Sequence, residues 1–208
     1  MTRKVFWLQV FWLLVCYAAT VLSAFAEPQA SLPFKRTVIK EVRFEWGFDG
    51  PAALMAAQIE QESAWRPGVC SPYACGLSQF TPDTEAWIKQ LYSDRLGGEE
   101  GVFNPGWAIR ALVVYDKHIY HKVPPAKTDC DRWSFTLSGY NGGPGWLNRD
   151  VRLCQRLAGC DGGRWLGNVA EHSKRASWAL SENREYPRKI FAKQPNYASW
   201  GKQVQCSH

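Results

Sequence analysis

Among the residues of this sequence, Glu62 is the one best suited to proton transfer. Helical spacing places it on one face with Met55 and Ile59, both of which are apolar. A carboxyl on an apolar face loses contact with water, so its charged form is disfavoured and its pKa rises toward about 6. Glu62 is therefore a candidate general acid, and Glu60, on another face, is its natural control. Taken alone, the pattern also fits a polar residue that ends a helix.

A glycine-rich segment and two tryptophans could contribute to a ligand site. Gly142, Gly143 and Gly145 allow a backbone to approach a ligand closely, and they fit a tight turn that ends a helix equally well. Most of the tryptophans are expected in the core. Trp65, close after Glu62, and Trp146, after these glycines, are the two expected near a groove, since indole rings stack on sugar faces.

Five segments together resemble one known family. IEQESAWRP from residue 59, GLSQFTP from residue 76 and SGYNGGPGW from residue 138 resemble, in order and spacing, three signatures of the lysozyme-like lytic transglycosylases of the soluble type. The segment 104–115 is similar to the family's Ile-Arg helix, and ENREYPRKI at 182–190 to its Glu-x-Arg-x-Tyr segment. Ser78 stands where Met is usual, and Pro187 replaces an aliphatic residue.

The resemblance implies a specific reaction. The family cleaves the β-1,4 bond between N-acetylmuramic acid and N-acetylglucosamine in peptidoglycan and forms a 1,6-anhydromuramic end. Glu62 matches the catalytic acid, which then acts as base, while the substrate's own N-acetyl group stabilises the developing positive charge. Peptidoglycan would be the partner, and neither a metal nor an organic cofactor is implied. The substrate-positioning residues implied by the family motifs are Ser63, Gln79, Tyr140, Asn141 and Glu182.

Two other functions stay open from the sequence. A muramidase would hydrolyse the same bond with a second carboxylate, since hydrolytic glycosidases generally use two. The sequence alone does not place Asp83 or Asp116 in space. A non-catalytic glycan-binding or assembly module would bind peptidoglycan without cleaving it, although such a module has no need of the acid.

The elements that must position these residues are mainly helical. Pro51, Thr81-Pro82 and Asn104-Pro105 predict helix starts before segments 52–65, 83–92 and 106–120. Two more helices are expected at 132–139 and 181–193, the last with a kink or a late start at Pro187. Strand signals are weak, limited to 37–44 and a hairpin at 70–75. The predicted fold class is mainly α, and the resemblance implies a lysozyme-like two-lobed domain with a glycan-binding groove.

Six cysteines follow Cys16, an even number that favours disulfides in an oxidising compartment. Their spacing and the scattered histidines do not favour a zinc site. Six cysteines allow 15 connectivities. Proximity in the sequence favours three pairs: Cys70 with Cys75, Cys154 with Cys160, and Cys130 with Cys206.

The N-terminus reads as a targeting segment. Arg3 and Lys4 precede an uncharged stretch at 5–26 that ends in Ser-Ala-Phe-Ala, which predicts a signal peptide cleaved after Ala26 or an N-terminal membrane anchor. We therefore expect export to the periplasm or cell wall, with transient membrane association through residues 5–26. The predicted organisation is residues 1–26 as leader or anchor, 27–43 as a poorly specified arm, and 44–208 as the transglycosylase domain.

Length and composition limit the alternatives. The chain has 208 residues, of which 46% are hydrophobic and 21% charged, which is typical of one ordinary globular domain. Its 25 Lys and Arg against 19 Asp and Glu give a net charge of +6, too little for the dense basic face of a nucleic-acid binder. We expect a monomer without a nucleic-acid partner.

Overall fold

The structure is a computed structural model and describes residues 26–206. Helices dominate these residues, whose β content is limited to isolated bridges within 70–80. The mainly α fold predicted from the sequence is thus confirmed. The α-helices are α1 Lys35–Trp46, α2 Ala52–Ser63, α3 Pro82–Leu91, α4 Ser93–Leu96, α5 Pro105–Lys122, α6 Asp129–Gly142, α7 Pro144–Gln155 and α8 Ser177–Lys193. Three 3₁₀ segments span Gln29–Phe34, Val169–Glu171 and Gln194–Trp200.

The helix starts follow the capping signals of the sequence. The Thr81 side chain accepts a hydrogen bond from the Thr84 backbone N–H at 3.2 Å, and Pro82 opens α3. Asn104 caps α5 in the same way, accepting from the Trp107 N–H at 2.9 Å. Since α2 also begins directly after Pro51, all three predicted starts are confirmed.

Most of residues 27–43, expected to be a poorly specified arm, lies in helical structure. A 3₁₀ segment leads into α1, which covers residues 37–44. The weak strand predicted at 37–44 is therefore wrong. Val38 and Val42 are buried in the main hydrophobic core, and α1 packs against α2 and α5. Burial of this apolar stripe outweighs the β preference of the local sequence.

The later helices are longer than expected. The predicted helix at 132–139 extends over all of α6, so it includes Tyr140 and Asn141. The predicted late start at Pro187 is wrong, because α8 begins at Ser177 and continues through Pro187. The predicted hairpin at 70–75 is reduced to one antiparallel bridge between Cys70 and Cys75.

Two hydrophobic cores hold these helices together. In the larger core, every residue from Ala52 to Ile59 of α2 is buried, enclosed by α1, α5, α8 and the last 3₁₀ segment. A smaller core lies between α6 and α7 and includes Phe135, Leu147, Val151 and Trp165. The helix that carries Glu62 is therefore the central element of the larger core.

Three disulfides join the cysteines in the pairs predicted: Cys70–Cys75, Cys130–Cys206 and Cys154–Cys160. Two of them close short loops, and the third ties the C-terminal tail to the first turn of α6. In the described part of the chain, no helix combines the length and the apolar character of a membrane span. The predicted signal peptide or anchor falls almost entirely on residues outside 26–206.

Candidate active site

Glu62 lies in the last turn of α2, where the chain reverses direction. Ala64 and Trp65, directly after the helix, have φ angles of 49° and 62°, in the left-handed region that non-glycine residues rarely adopt. Such conformations persist only where the surrounding structure enforces them, and they are common at functional sites. The turn directs the chain away from Glu62 and leaves its carboxyl at the edge of the larger core.

The surroundings of Glu62 favour its protonated form. Burial raises the pKa of Glu62 to about 8, and the negative charge of Glu182 acts in the same direction. The phenol of Tyr186 donates a hydrogen bond to Oε1, which lowers the pKa but does not cancel the effect of burial. No Lys or Arg among residues 26–206 forms a salt bridge with Glu62. At neutral pH the carboxyl therefore holds a proton that it can give away.

Glu60, two residues earlier, has a different environment. Its carboxylate accepts a hydrogen bond from the Tyr197 hydroxyl at 2.7 Å and pairs with Lys193 at 3.1 Å. These contacts tie α2 to the C-terminal segment. Glu60 is thus a structural group. Its ion pair with Lys193 distinguishes it from Glu62, as expected from its place on another face of the helix.

Two tyrosines connect Glu62 to the other signature segments. The Tyr140 ring stacks on that of Tyr186 with centroids 6.4 Å apart, and its hydroxyl donates to the Ser78 carbonyl at 2.7 Å. Burial and the nearby Glu62 raise the pKa values of both phenols well above their usual range. Both tyrosines remain neutral hydrogen-bond donors. Tyr186, the tyrosine of the ENREYPRKI segment, was not among the site residues predicted from the sequence.

A buried polar pair lies behind the catalytic candidate. Gln58, one helical turn before Glu62, donates from Nε2 to Oδ1 of Asp116 on α5 at 3.3 Å. Asp116 is fully buried, and its pKa is raised well above its usual value, chiefly by desolvation. Asp116 Oδ2 and Gln58 Oε1 lack hydrogen-bond partners within residues 26–206. Burial thus disfavours a negative charge on Asp116.

Gln79 lies in a loop that its own side chain braces. Its Nε2 donates to the carbonyls of Val69 and Gly76 at 3.1 and 2.9 Å, and its φ angle of 47° is also left-handed. The Cys70–Cys75 disulfide closes the same loop. The Gln79 amide nitrogen is thus engaged within the loop.

Asn141 is held in place by α8. Its Oδ1 accepts a hydrogen bond from Nδ2 of Asn183 at 2.9 Å, and the same Nδ2 donates to the Ser138 carbonyl. Asn183 is buried and lies one turn before Tyr186. The two helices therefore set the end of the Tyr140-Asn141 segment relative to Glu62.

The remaining predicted residues have diverse positions. Ser63 is 1% exposed, and its hydroxyl donates to the Ile59 carbonyl at 3.0 Å, so it completes the helix end and does not face a ligand. Glu182 is exposed and close enough to influence Glu62 electrostatically. Trp65 is a core residue that donates to the Tyr197 hydroxyl, which contradicts the expected groove position. Trp146 is partly exposed.

The described residues contain no group of three or more His, Cys, Asp and Glu side chains that could hold a metal ion. The side chains around Glu62 include the phenols of Tyr186 and Tyr140 and the amides of Gln58 and Asn141. The chemistry of this site is proton transfer and hydrogen bonding.

Comparison with known proteins identifies the family. The model of the transglycosylase SLT domain matches residues 44–159, more than half of the chain. The chain belongs to the transglycosylase SLT domain family. Of the five segments that suggested the family, the first four lie within this match, and the Glu182–Ile190 segment lies beyond it.

Other members of the SLT domain family share this part of the chain. The membrane-bound lytic murein transglycosylase F of Marinobacter nauticus is 33% identical over 136 residues, which are 65% of this chain and 25% of that protein. The soluble lytic murein transglycosylase of Escherichia coli is 26% identical over 156 residues, 72% of this chain and 21% of that protein. This chain therefore spans about a quarter of the length of the curated relatives it matches.

A solved structure shows the same fold. The crystal structure of the 70 kDa soluble lytic transglycosylase of Escherichia coli superimposes with a TM-score of 0.54 at 24% identity, over 79% of this chain and 24% of that one. A second crystal structure, of the complex of the 70 kDa soluble lytic transglycosylase with bulgecin A, has the same TM-score. The SLT domain of this protein is thus compared with one segment of a much larger enzyme.

Proposed function

We propose that the protein is a peptidoglycan lytic transglycosylase that cleaves the bond between N-acetylmuramic acid and N-acetylglucosamine. The observation that carries the proposal is the Glu62 carboxyl at the edge of the larger core, whose pKa burial raises to about 8 and which is hydrogen-bonded only to Tyr186 among the described residues. Family membership and the printed names of the relatives support the same activity.

In the first step, Glu62 donates its proton to the bridging oxygen as the bond from C1 of the muramic residue breaks. The N-acetylglucosamine unit leaves with a neutral hydroxyl, and the muramic N-acetyl group stabilises the positive charge at C1. The Tyr186 phenol, which donates to Oε1, then stabilises the carboxylate that Glu62 has become.

In the second step, the Glu62 carboxylate removes the proton of the muramic O6 hydroxyl, and O6 attacks C1. A 1,6-anhydro ring forms, Glu62 is protonated again, and no water is consumed. One carboxyl serves both steps. Asp116 is not assigned a role as a charged partner in this scheme, because burial raises its pKa and disfavours its charged form.

We also propose that the chain acts as a monomer outside the cytoplasm, with residues 1–26 as its signal peptide or anchor and 44–208 as the catalytic domain. The names of the relatives, membrane-bound and soluble murein transglycosylases, support export. Gln79, Tyr140, Asn141 and Glu182 are proposed to line the glycan site. Ser63 supports that site through the end of α2.

The test is mass spectrometry of the muropeptides that the full chain releases from purified sacculi. The native protein should produce anhydromuramic ends, and Glu62→Gln should lose them. Glu60→Gln is the matched control, on the same helix and of the same chemistry, and it should keep the product. Reducing muramic ends would instead identify a muramidase, which hydrolyses the same bond with a second carboxylate. Binding to sacculi without any release would identify a glycan-binding module.

A further inference from the structure

A cleft on the outer face of α7 carries a concentration of positive charge. It encloses about 320 Å³, and the loop before α8 closes one side of it. Two arginines of α7, the arginine that directly follows the helix and one lysine of the loop line this basic cleft: Arg149, Arg152, Arg156 and Lys174. The spacing of three and four residues places the arginines on one face of the helix.

These four cations lack acidic partners. No carboxylate within residues 26–206 lies within 4.0 Å of any of them. Asp150, the one acid of the cleft lining, is 1% exposed and is already paired with Arg175 at 3.2 Å and Arg184 at 3.0 Å. The cleft thus presents uncompensated positive charge, and like charges held together favour an anionic ligand.

The basic cleft is connected to the proposed active site. Trp146 lines it, and this residue closes the SGYNGGPGW segment that carries Tyr140 and Asn141. The guanidinium of Arg149 lies 4.8 Å from the centroid of the Trp146 ring. Asn141 is in turn bonded to Asn183, one turn before the Tyr186 that contacts Glu62. The segment that carries Asn141 thus joins the basic cleft to the residues around Glu62.

We propose that the basic cleft binds the carboxylates of the peptide attached to the muramic acid residues of the substrate. This inference rests on the proposed function. In a peptide-bearing strand the lactyl carboxyl of muramic acid is held in the amide bond to the peptide, so the negative charge lies on the peptide carboxylates, which match exposed guanidinium groups in charge and geometry. A strand stripped by an amidase keeps one lactyl carboxylate on each muramic residue but lacks the carboxylates of the peptide. The cleft makes the protein selective for peptide-bearing strands over strands from which an amidase has removed the peptides.

The test compares kcat/KM of the full chain on these two kinds of strand. For the native protein, peptide-bearing strands should be the better substrate. The double variant R152A/R156A should reduce the ratio of the two values by about tenfold through KM, because it removes two charge-assisted contacts. The double variant R36A/R43A is the matched control. It removes two exposed arginines from α1, and its ratio should equal the native one.

Three kinetic outcomes would overturn the inference. In R152A/R156A, the ratio of the two kcat/KM values could stay at its native value, or kcat/KM could fall by the same factor for both kinds of strand. In the α1 control R36A/R43A, the ratio could fall as far as in R152A/R156A. The last two would mean that general positive charge attracts the polymer. If the native protein cleaves neither strand, the proposed function fails, and the inference is then decided by binding alone.

Binding is measured by calorimetry with the tripeptide L-alanyl-γ-D-glutamyl-meso-diaminopimelate and, separately, with inorganic phosphate. We expect the native chain to bind the tripeptide and R152A/R156A to bind it about tenfold more weakly. Absent binding of the tripeptide, or tighter binding of phosphate, would overturn the assignment of the cleft to peptide carboxylates.

Discussion

The carboxyl of Glu62 combines burial at the end of α2 with a hydrogen bond from the Tyr186 phenol, and this balance sets its acidity. Burial raises its pKa to about 8, while the Tyr186 hydrogen bond stabilises the charged form. A proton donor must be protonated in the free enzyme, so kcat/KM should fall as the pH rises through about 8.

Replacing Tyr186 with Phe should move this alkaline limb to higher pH. The variant lacks the hydroxyl that stabilises the Glu62 carboxylate, so the pKa of Glu62 should rise further, by about one unit. The measurement is the pH profile of kcat/KM on purified sacculi. Tyr197→Phe, which removes a similar bond from Glu60, should leave the limb in place. A limb that stays or moves to lower pH in Tyr186→Phe would contradict this account.

The same burial predicts a pH-dependent stability. The folded pKa of Glu62, about 8, exceeds its ordinary value of 4.5, so the folded state keeps a proton that the unfolded state has lost between these values. Stability from this group is present below pH 4.5 and declines as the pH rises toward 8. Because Gln carries no charge, Glu62→Gln should gain stability relative to the native protein between pH 5 and pH 8, as measured by urea unfolding. A constant difference across this range would be inconsistent with a buried acid.

At the residue scale, Glu62 was predictable from the sequence as a candidate acid, because helical spacing places it on an apolar face. The sequence could not separate Trp65 from Trp146, since both follow signature segments, and only packing shows that Trp65 belongs to the core. Tyr186 lies in the 182–190 segment that resembles the family, but its contact with Glu62 joins two residues that are 124 positions apart in the sequence. No local pattern encodes such a distance.

At the scale of elements, capping residues made helix starts predictable, whereas tertiary packing decided the rest. The β-branched run Thr37-Val38-Ile39 suggests a strand locally, yet it forms a helix because Val38 and Val42 are buried against α2 and α5. Glu41, buried on the same helix, is matched by Arg95 and Arg110, two residues that are remote in sequence. Neither contact can be derived from the α1 segment by itself.

The loop that carries Gln79 depends on one glycine. Gly76 has a φ angle of +77°, and a Cβ atom there would lie 2.0 Å from the carbonyl oxygen of Val102. Gly76→Ala should therefore lower the free energy of unfolding by at least about 2 kcal/mol and displace Gln79, with a loss of activity. Chemical denaturation and muropeptide release measure the two effects. Gly68→Ala, in the same region and with nothing within 4 Å, should be nearly neutral; equal effects would show that the conformation of Gly76 is unimportant.

At the scale of the whole molecule, the two ends of the described chain meet around α2, the helix that carries Glu62. The last 3₁₀ segment packs along α2, and the Trp200 indole donates to the carboxylate of Glu27. Lys35 bonds both Glu27 and Ser199. The Cys130–Cys206 disulfide then fixes the tail to α6. The position of Glu62 thus depends on contacts formed by both termini.

The three disulfides should differ in their effect on stability. The Cys130–Cys206 bond spans 76 positions and the Cys70–Cys75 bond only 5, so loop-closure entropy assigns about 4 and about 2 kcal/mol to them. Replacing Cys130 and Cys206 with Ser should lower the free energy of urea unfolding more than replacing Cys70 and Cys75. The reverse order would indicate that the short loop is stabilised by something other than its closure entropy.

The wide spacing of Cys130 and Cys206 also has a consequence for how the protein matures. Cys154 and Cys160, the thiols of another pair, lie between them in the sequence, so an unfolded chain brings Cys130 to the wrong sulfur more readily than to the right one. We expect the Cys130–Cys206 bond to form last, after α8 has packed and brought the C-terminal tail close to α6. Non-native disulfides formed earlier must then rearrange, which takes seconds to hours depending on the oxidant and the isomerase. The yield of active protein should accordingly depend on the disulfide isomerase of the compartment in which it folds.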